Sequence, residues 1–136
     1  MAAGKYNFTI EQGTTVDFEI AYKDPNNDPI DLTGYVGRMQ IKDKPGGSIT
    51  HITLTSDLST CGTGLNFSGS GGLNANNSPT EGTIGIYISA ISSSALNFSK
   101  AYYDLEIASG SGDCAVVTRL LEGTVNLSKE VTTGTY

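Results

Sequence analysis

Val16-Asp17-Phe18-Glu19-Ile20-Ala21-Tyr22 alternates large apolar side chains with charged or small ones. Successive side chains of an extended chain point to opposite faces. Val16, Phe18, Ile20 and Tyr22 therefore line a buried face, while Asp17, Glu19 and the following Lys23 stay wet. A helix would scatter the same residues around its circumference. The stretch predicts a half-buried β-strand.

The same period recurs in both directions. Upstream, residues 5–12 put Tyr6, Phe8 and Ile10 on one face, and Gly13-Thr14-Thr15 separates them from the opening stretch. A hairpin and a first strand that crosses to another sheet both fit that connection. Downstream, Asp24-Pro25-Asn26-Asn27-Asp28-Pro29 is a turn, because its prolines fix φ and remove donors. Leu32 is expected to plug one end of the core. Residues 36–42 read as a strand with Met39 and Ile41 on one face, Lys44-Pro45-Gly46-Gly47 as a turn, and residues 49–55 as the next strand.

Residues 83–89 alternate through Ile84, Ile86 and Ile88, and residues 101–108 through Tyr103, Leu105 and Ile107. After the turn Ser109-Gly110-Ser111-Gly112-Asp113, residues 115–121 return and residues 123–127 form a last strand with Val125 and Leu127 inward. The one helical candidate is residues 89–99, capped by Ser89 with Ile91, Ala95 and Phe98 on one face, and amounts to one or two turns. Between residues 56 and 80 Ser, Gly, Asn and Thr dominate. There Leu65-Asn66-Phe67 reads as a short strand and residues 68–79 as a long exposed loop, a feature that is often functional. The tail from residue 128 is polar, and either loose or docked on a neighbour.

Together these make an all-β chain: an antiparallel, immunoglobulin-like β-sandwich of about eight short strands with one short helical turn. It is a single domain over residues 1–136, with a long polar loop at 56–80 and polar tails. No long helices separate the strands, which excludes a parallel α/β sheet. The Cys-Trp-Cys signature of antibody domains is missing, since the chain has no tryptophan. The 17 glycines and the low charged fraction of 16% suit short strands and many turns rather than helices.

A formal net charge of −6 and no run of Lys or Arg argue against nucleic acid and anionic membrane as partners. No apolar stretch approaches bilayer length. Met1-Ala2-Ala3-Gly4-Lys5 lacks the basic-then-apolar pattern of a signal peptide, so the chain is expected to be made and assembled in cytosol. Cys61 and Cys114 are then expected to stay unpaired, with neither Cys-x-x-Cys spacing nor enough histidine for a zinc site.

The search for chemistry gives no catalytic, cofactor-binding or metal residues. His51, the single histidine, falls on the outward face of its strand and reads as a solvated surface residue; a triad with Asp57 and a serine is the competing idea. Asp24, Asn26 and Asp28 space oxygens like a calcium loop, but Pro29 and Tyr35 stand where that loop needs glycine and a carboxylate. Gly62-Thr63-Gly64 and Gly69-Ser70-Gly71-Gly72 lack the Gly-Lys-Ser/Thr and the helix of a phosphate loop. Asn7, Asn66, Asn97 and Asn126 open sequons of the kind expected by chance in such a composition. Seven tyrosines could form a sugar-binding patch, but Tyr6, Tyr22 and Tyr103 fall on core faces.

Two stretches carry a resemblance. Pro29-Ile30-Asp31-Leu32-Thr33-Gly34-Tyr35 leads into Arg38-Met39-Gln40-Ile41-Lys42, and Tyr102-Tyr103-Asp104-Leu105-Glu106-Ile107 precedes Val117-Thr118-Arg119-Leu120-Leu121-Glu122-Gly123-Thr124-Val125. In order and spacing they resemble small bacteriophage virion structural proteins and the N-terminal β-sandwich domain of phage baseplate upper proteins, over residues 13–131. The resemblance implies a non-enzymatic baseplate or tail adaptor that binds other virion proteins and forms a symmetric homo-oligomer. It places the chain in the virion, assembled in the host bacterial cytoplasm. The insertion after Ser56 departs from the compact pattern and leaves capsid decoration or neck roles open. A carbohydrate-binding or adhesin module, using the long loop and exposed tyrosines, is the other class. Apart from any resemblance, Arg119 and Glu122 fall near the register of Asp104 and Glu106, and Arg38 could pair with such carboxylates across the sheet.

Overall fold

The structure, a computed structural model, describes residues 3–110, 112–134 and 136. Ser111 of the expected turn, Thr135 of the tail, and Met1 and Ala2 of the start lie outside them. Among the described residues nine strands form two sheets packed face to face. The strands are β1 (Gly4–Lys5), β2 (Phe8–Glu11), β3 (Val16–Ala21), β4 (Val36–Lys42), β5 (Thr50–Thr55), β6 (Gly64–Asn66), β7 (Thr83–Ile88), β8 (Lys100–Ser109) and β9 (Val116–Ser128). The helix α1 (Ala90–Ser94) connects β7 to β8. The larger sheet runs β1-β9-β8-β4-β5, with β2 also paired to β9; the smaller runs β3-β7-β6.

The core lies between the sheets and is built by the alternation. Ile84, Ile86 and Ile88 of β7 face Met39 and Ile41 of β4, with Leu105 and Ile107 of β8 alongside, all fully buried. Leu32 plugs one end and Leu65 joins the core from β6. Each such side chain contributes about 1.5–3 kcal/mol by leaving water. β3 packs Val16, Phe18 and Ile20 against this core while pairing antiparallel with β7.

The first strand crosses to the larger sheet rather than forming a hairpin with β3. It runs parallel to β9, so the sandwich is not wholly antiparallel: Phe8 pairs with Val125 and Ile10 with Leu127. It also breaks after Lys5. The Asn7 side chain, through Oδ1, accepts from the Thr124 N–H at 2.9 Å, taking the place of a backbone acceptor. Beside that break Tyr6 is 46% exposed, its ring at the edge of the core with centroid distances of 6.0 Å to Phe8 and 5.8 Å to Phe18, rather than the buried residue its parity implies. Tyr22 is half-buried and Tyr103 is buried.

Three further expectations change. Residues 116–128 are one strand, not two, because Leu120 is absorbed as a bulge between Leu105–Leu121 and Glu106–Arg119 pairs. α1 is capped by Ser89, whose Oγ accepts from the Ser92 N–H, as expected. Its buried side chain is nevertheless Ser93, while Ile91 and Ala95 are exposed. Ser93 faces inward because its Oγ donates to the Thr14 carbonyl at 2.7 Å and accepts from the Gly13 N–H at 3.0 Å, tying α1 to the β2–β3 turn.

Residues 68–79 are not a free loop. They fold across the outer face of the smaller sheet and are held by the charges of the alternating strand β3. The Ser70 N–H and hydroxyl both donate to Glu19 Oε1, at 3.1 and 2.9 Å, and the Gly71 N–H donates to Asp17 Oδ1 at 3.0 Å. Gly85 of β7 lies under the Gly69 carbonyl, and Gly72 lies on the Tyr87 ring. Each contact needs the missing Cβ.

Candidate interaction face

Residues 68–79 cover part of one outer face of the sandwich, over β7, whereas the outer face of the larger sheet stands open. Its side chains follow from register. Arg38 lies opposite Glu106, which lies opposite Arg119; Gln40 lies opposite Asp104, then Glu122, then Lys5. Lys42, Tyr102 and Thr124 form the next row. The rows carry three ion pairs: Lys5–Glu122 at 3.1 Å, Arg119–Asp104 at 3.3 Å and Arg38–Glu106 at 3.4 Å. Each is partly exposed and contributes little to stability. Their effect is on the character of the surface.

This face is a shallow concavity of about 550 Å³, rimmed by the Lys44-Pro45-Gly46 turn. It gathers Lys5, Arg38, Lys42, Lys44 and Arg119, five of the chain's eight Lys and Arg, with only three carboxylates. All three carboxylates are engaged in the ion pairs, and among the described residues no carboxylate pairs with Lys42 or Lys44. Lys100 adds a cation 5.5 Å from the Tyr102 ring centre. A strongly acidic chain thus presents one cation-rich face. Burial raises the Asp104 pKa above the ordinary carboxylate value; Glu106 and Glu122 push the same way, and Arg119 and Lys42 oppose them.

Arg38, Asp104, Glu106, Arg119 and Glu122 were legible as a cross-strand group, although Glu122 takes Lys5 rather than an arginine. Lys5, Lys42 and Lys44 escape a linear search for basic runs. Their signal is the two-residue period, which keeps 38, 40 and 42 on one face once the strand's inner face is known.

The other candidate positions separate. His51 is the bulged residue of β5, half-buried with its ring 4.6 Å from that of Phe98, rather than a freely solvated side chain. β5 extends between His51 and Asp57, so the strand's rise of about 3.3 Å per residue keeps the two apart. Asp24 Oδ1 accepts from the Asn26 and Asp28 N–H groups, both at 2.9 Å, so that carboxylate organises its own turn. Cys61 and Cys114 are both exposed and free. The Tyr103 hydroxyl donates to the Tyr6 carbonyl at 2.6 Å, and its burial raises its pKa.

No protein-family model matches the chain, and no curated protein matches its sequence.

Proposed function

We propose that the chain is a non-enzymatic structural protein of a bacteriophage virion, an adaptor that binds neighbouring subunits through the open face of its larger sheet. The virion placement rests on the resemblance of residues 29–42 and 102–125 to phage structural proteins. The observation that carries the binding role is the asymmetry of the sandwich. Residues 68–79 lie across the β7 part of one outer face and take up the Asp17 and Glu19 carboxylates beside it, while the other face displays interleaved charges and a surplus of cations. Interleaved charge suits a protein partner, because it sets orientation and rejects wrong partners more than it adds raw affinity.

The test is incorporation into particles. Virions produced with Lys42→Glu and Arg119→Glu in this chain should lack it, or carry much less of it, while the purified variant keeps the wild-type circular dichroism spectrum. Incorporation at the wild-type level would overturn the binding face. A wild-type chain that never co-purifies with particles would overturn the virion reading.

A further inference from the structure

The two ends of the sandwich, viewed along the strands, differ in charge. β4 runs into the turn that carries Lys44, and β8 begins beside that turn at Lys100, so Lys42, Lys44 and Lys100 gather at one end of the open face, where the one carboxylate of the turn, Asp43, has Oδ1 buried. The segment linking β3 to β4 crosses from sheet to sheet at the opposite end. It carries Asp24, Asp28 and Asp31, and the Tyr22 N–H to Gly82 carbonyl bond at 2.8 Å brings Glu81 beside it. Lys23 is the single basic residue in that linking segment. Apolar side chains are also exposed at both ends: Ile49 and Ile91 at the cationic end, Val36 and Val117 at the acidic one.

We propose that the occupant of the cation-rich face is a second copy of this chain bound head to tail. The acidic β3–β4 end of one molecule sits against Lys42, Lys44 and Lys100 of the next. This rests on the reading of the open face as a binding surface and adds the identity of the partner. Charge complementarity decides the geometry. Two open faces brought together would oppose their surplus cations, whereas end to face brings opposite signs into contact and leaves each molecule with a free face and a free end. Such a heterologous contact repeats, closing into a ring or continuing as a filament.

The experiment is sedimentation velocity on the purified full chain over a concentration series at low and high salt. Wild type should form concentration-dependent oligomers at low salt that weaken about tenfold or more in dissociation constant at about 0.5 M salt, where the Debye length falls to a few ångströms. Lys42→Glu/Lys44→Glu and Asp28→Lys/Asp31→Lys should each be monomeric alone. Mixed in equal amounts, they should assemble again, because each reversed surface meets its complement on the other variant. Thermal unfolding of each variant confirms that it is folded before mixing.

A wild type that is monomeric throughout overturns the second-copy proposal. The particle-incorporation test still stands in that case, so the two readings fail separately. Oligomers that survive Asp28→Lys/Asp31→Lys but not Lys42→Glu/Lys44→Glu would also overturn it, since the lysines would then meet something other than the acidic end. Failure of the mixture to assemble overturns it as well.

Discussion

Gly85 of β7 supports the Gly69 carbonyl directly, and a side-chain carbon at Gly85 would overlap that oxygen. The contact is backbone against backbone, so no flexible side chain can yield. Gly85→Ala is expected to lift residues 68–79 from the sheet and cost about 1–3 kcal/mol, the usual cost of overpacking. Denaturant unfolding measures the loss, and limited proteolysis should cut the variant within 68–79 where wild type resists. Equal proteolysis of the two would show the segment to be free in both.

Tyr103 bridges the break in the first strand, and its phenol is less acidic in the fold than the ordinary value of 10.0 because burial disfavours the phenolate. A pKa raised by folding gives stability that is present below the unfolded value and lost as pH rises through the folded one. Wild type should therefore lose stability above about pH 10, and Tyr103→Phe should lose less over the same window. At neutral pH the variant should be weaker by about 1 kcal/mol for the missing hydrogen bond. Paired unfolding curves at neutral and alkaline pH check both signs.

Asp104 is an acid whose pKa the fold raises, with burial as the main cause. Its contribution is largest below its unfolded value and falls as the half-buried carboxylate ionises. Asp104→Asn does not titrate. Relative to wild type, the variant should therefore be more favourable at pH 7 than at pH 3. An unchanged difference between those two pH values would show that the Arg119 charge offsets the burial completely.

Cys61 and Cys114 are both exposed and free. Alkylation of the native protein without reductant or denaturant should add two labels, read by intact mass. Labels that appear only after reduction would establish a disulfide.

Much of this fold is legible in the sequence because one face of each central strand is buried. β4, β7 and β8 keep their expected limits to within a residue or two, and Met39, Ile41, Ile84, Ile86, Ile88, Leu105 and Ile107 are all interior. Partnership is a different matter. A period of two says which face of β2 is buried but not that β9 lies beside it, in parallel. Tyr6 shows the limit most clearly: its parity matches Phe8 and Ile10, yet a side-chain acceptor from Asn7 interrupts the ladder beside it, and its ring ends partly in water at the edge of the core.

Residues 68–79 were opaque for another reason. They attach through backbone N–H groups and glycine contacts, which leave no hydrophobic pattern to read. The cation-rich face lies between these cases. Its arginines and carboxylates show as a cross-strand group, but Lys5, Lys42 and Lys44 are brought to it by strand pairing and by a turn. Their nearness in space has no counterpart along the chain.

The pairing of β2 with β9 sets an order for vectorial synthesis. Residues 8–11 leave the ribosome well before their partners at 125–128, which follow only after strands β3 to β8. At about 5–20 residues per second, Ile10 waits several seconds or more without the strand that will hold it. The smaller sheet and the β4–β5 hairpin can form in the meantime, since their partners emerge sooner. That interval leaves an apolar edge open to chaperones, and the sandwich is finished by its first strand docking onto its last.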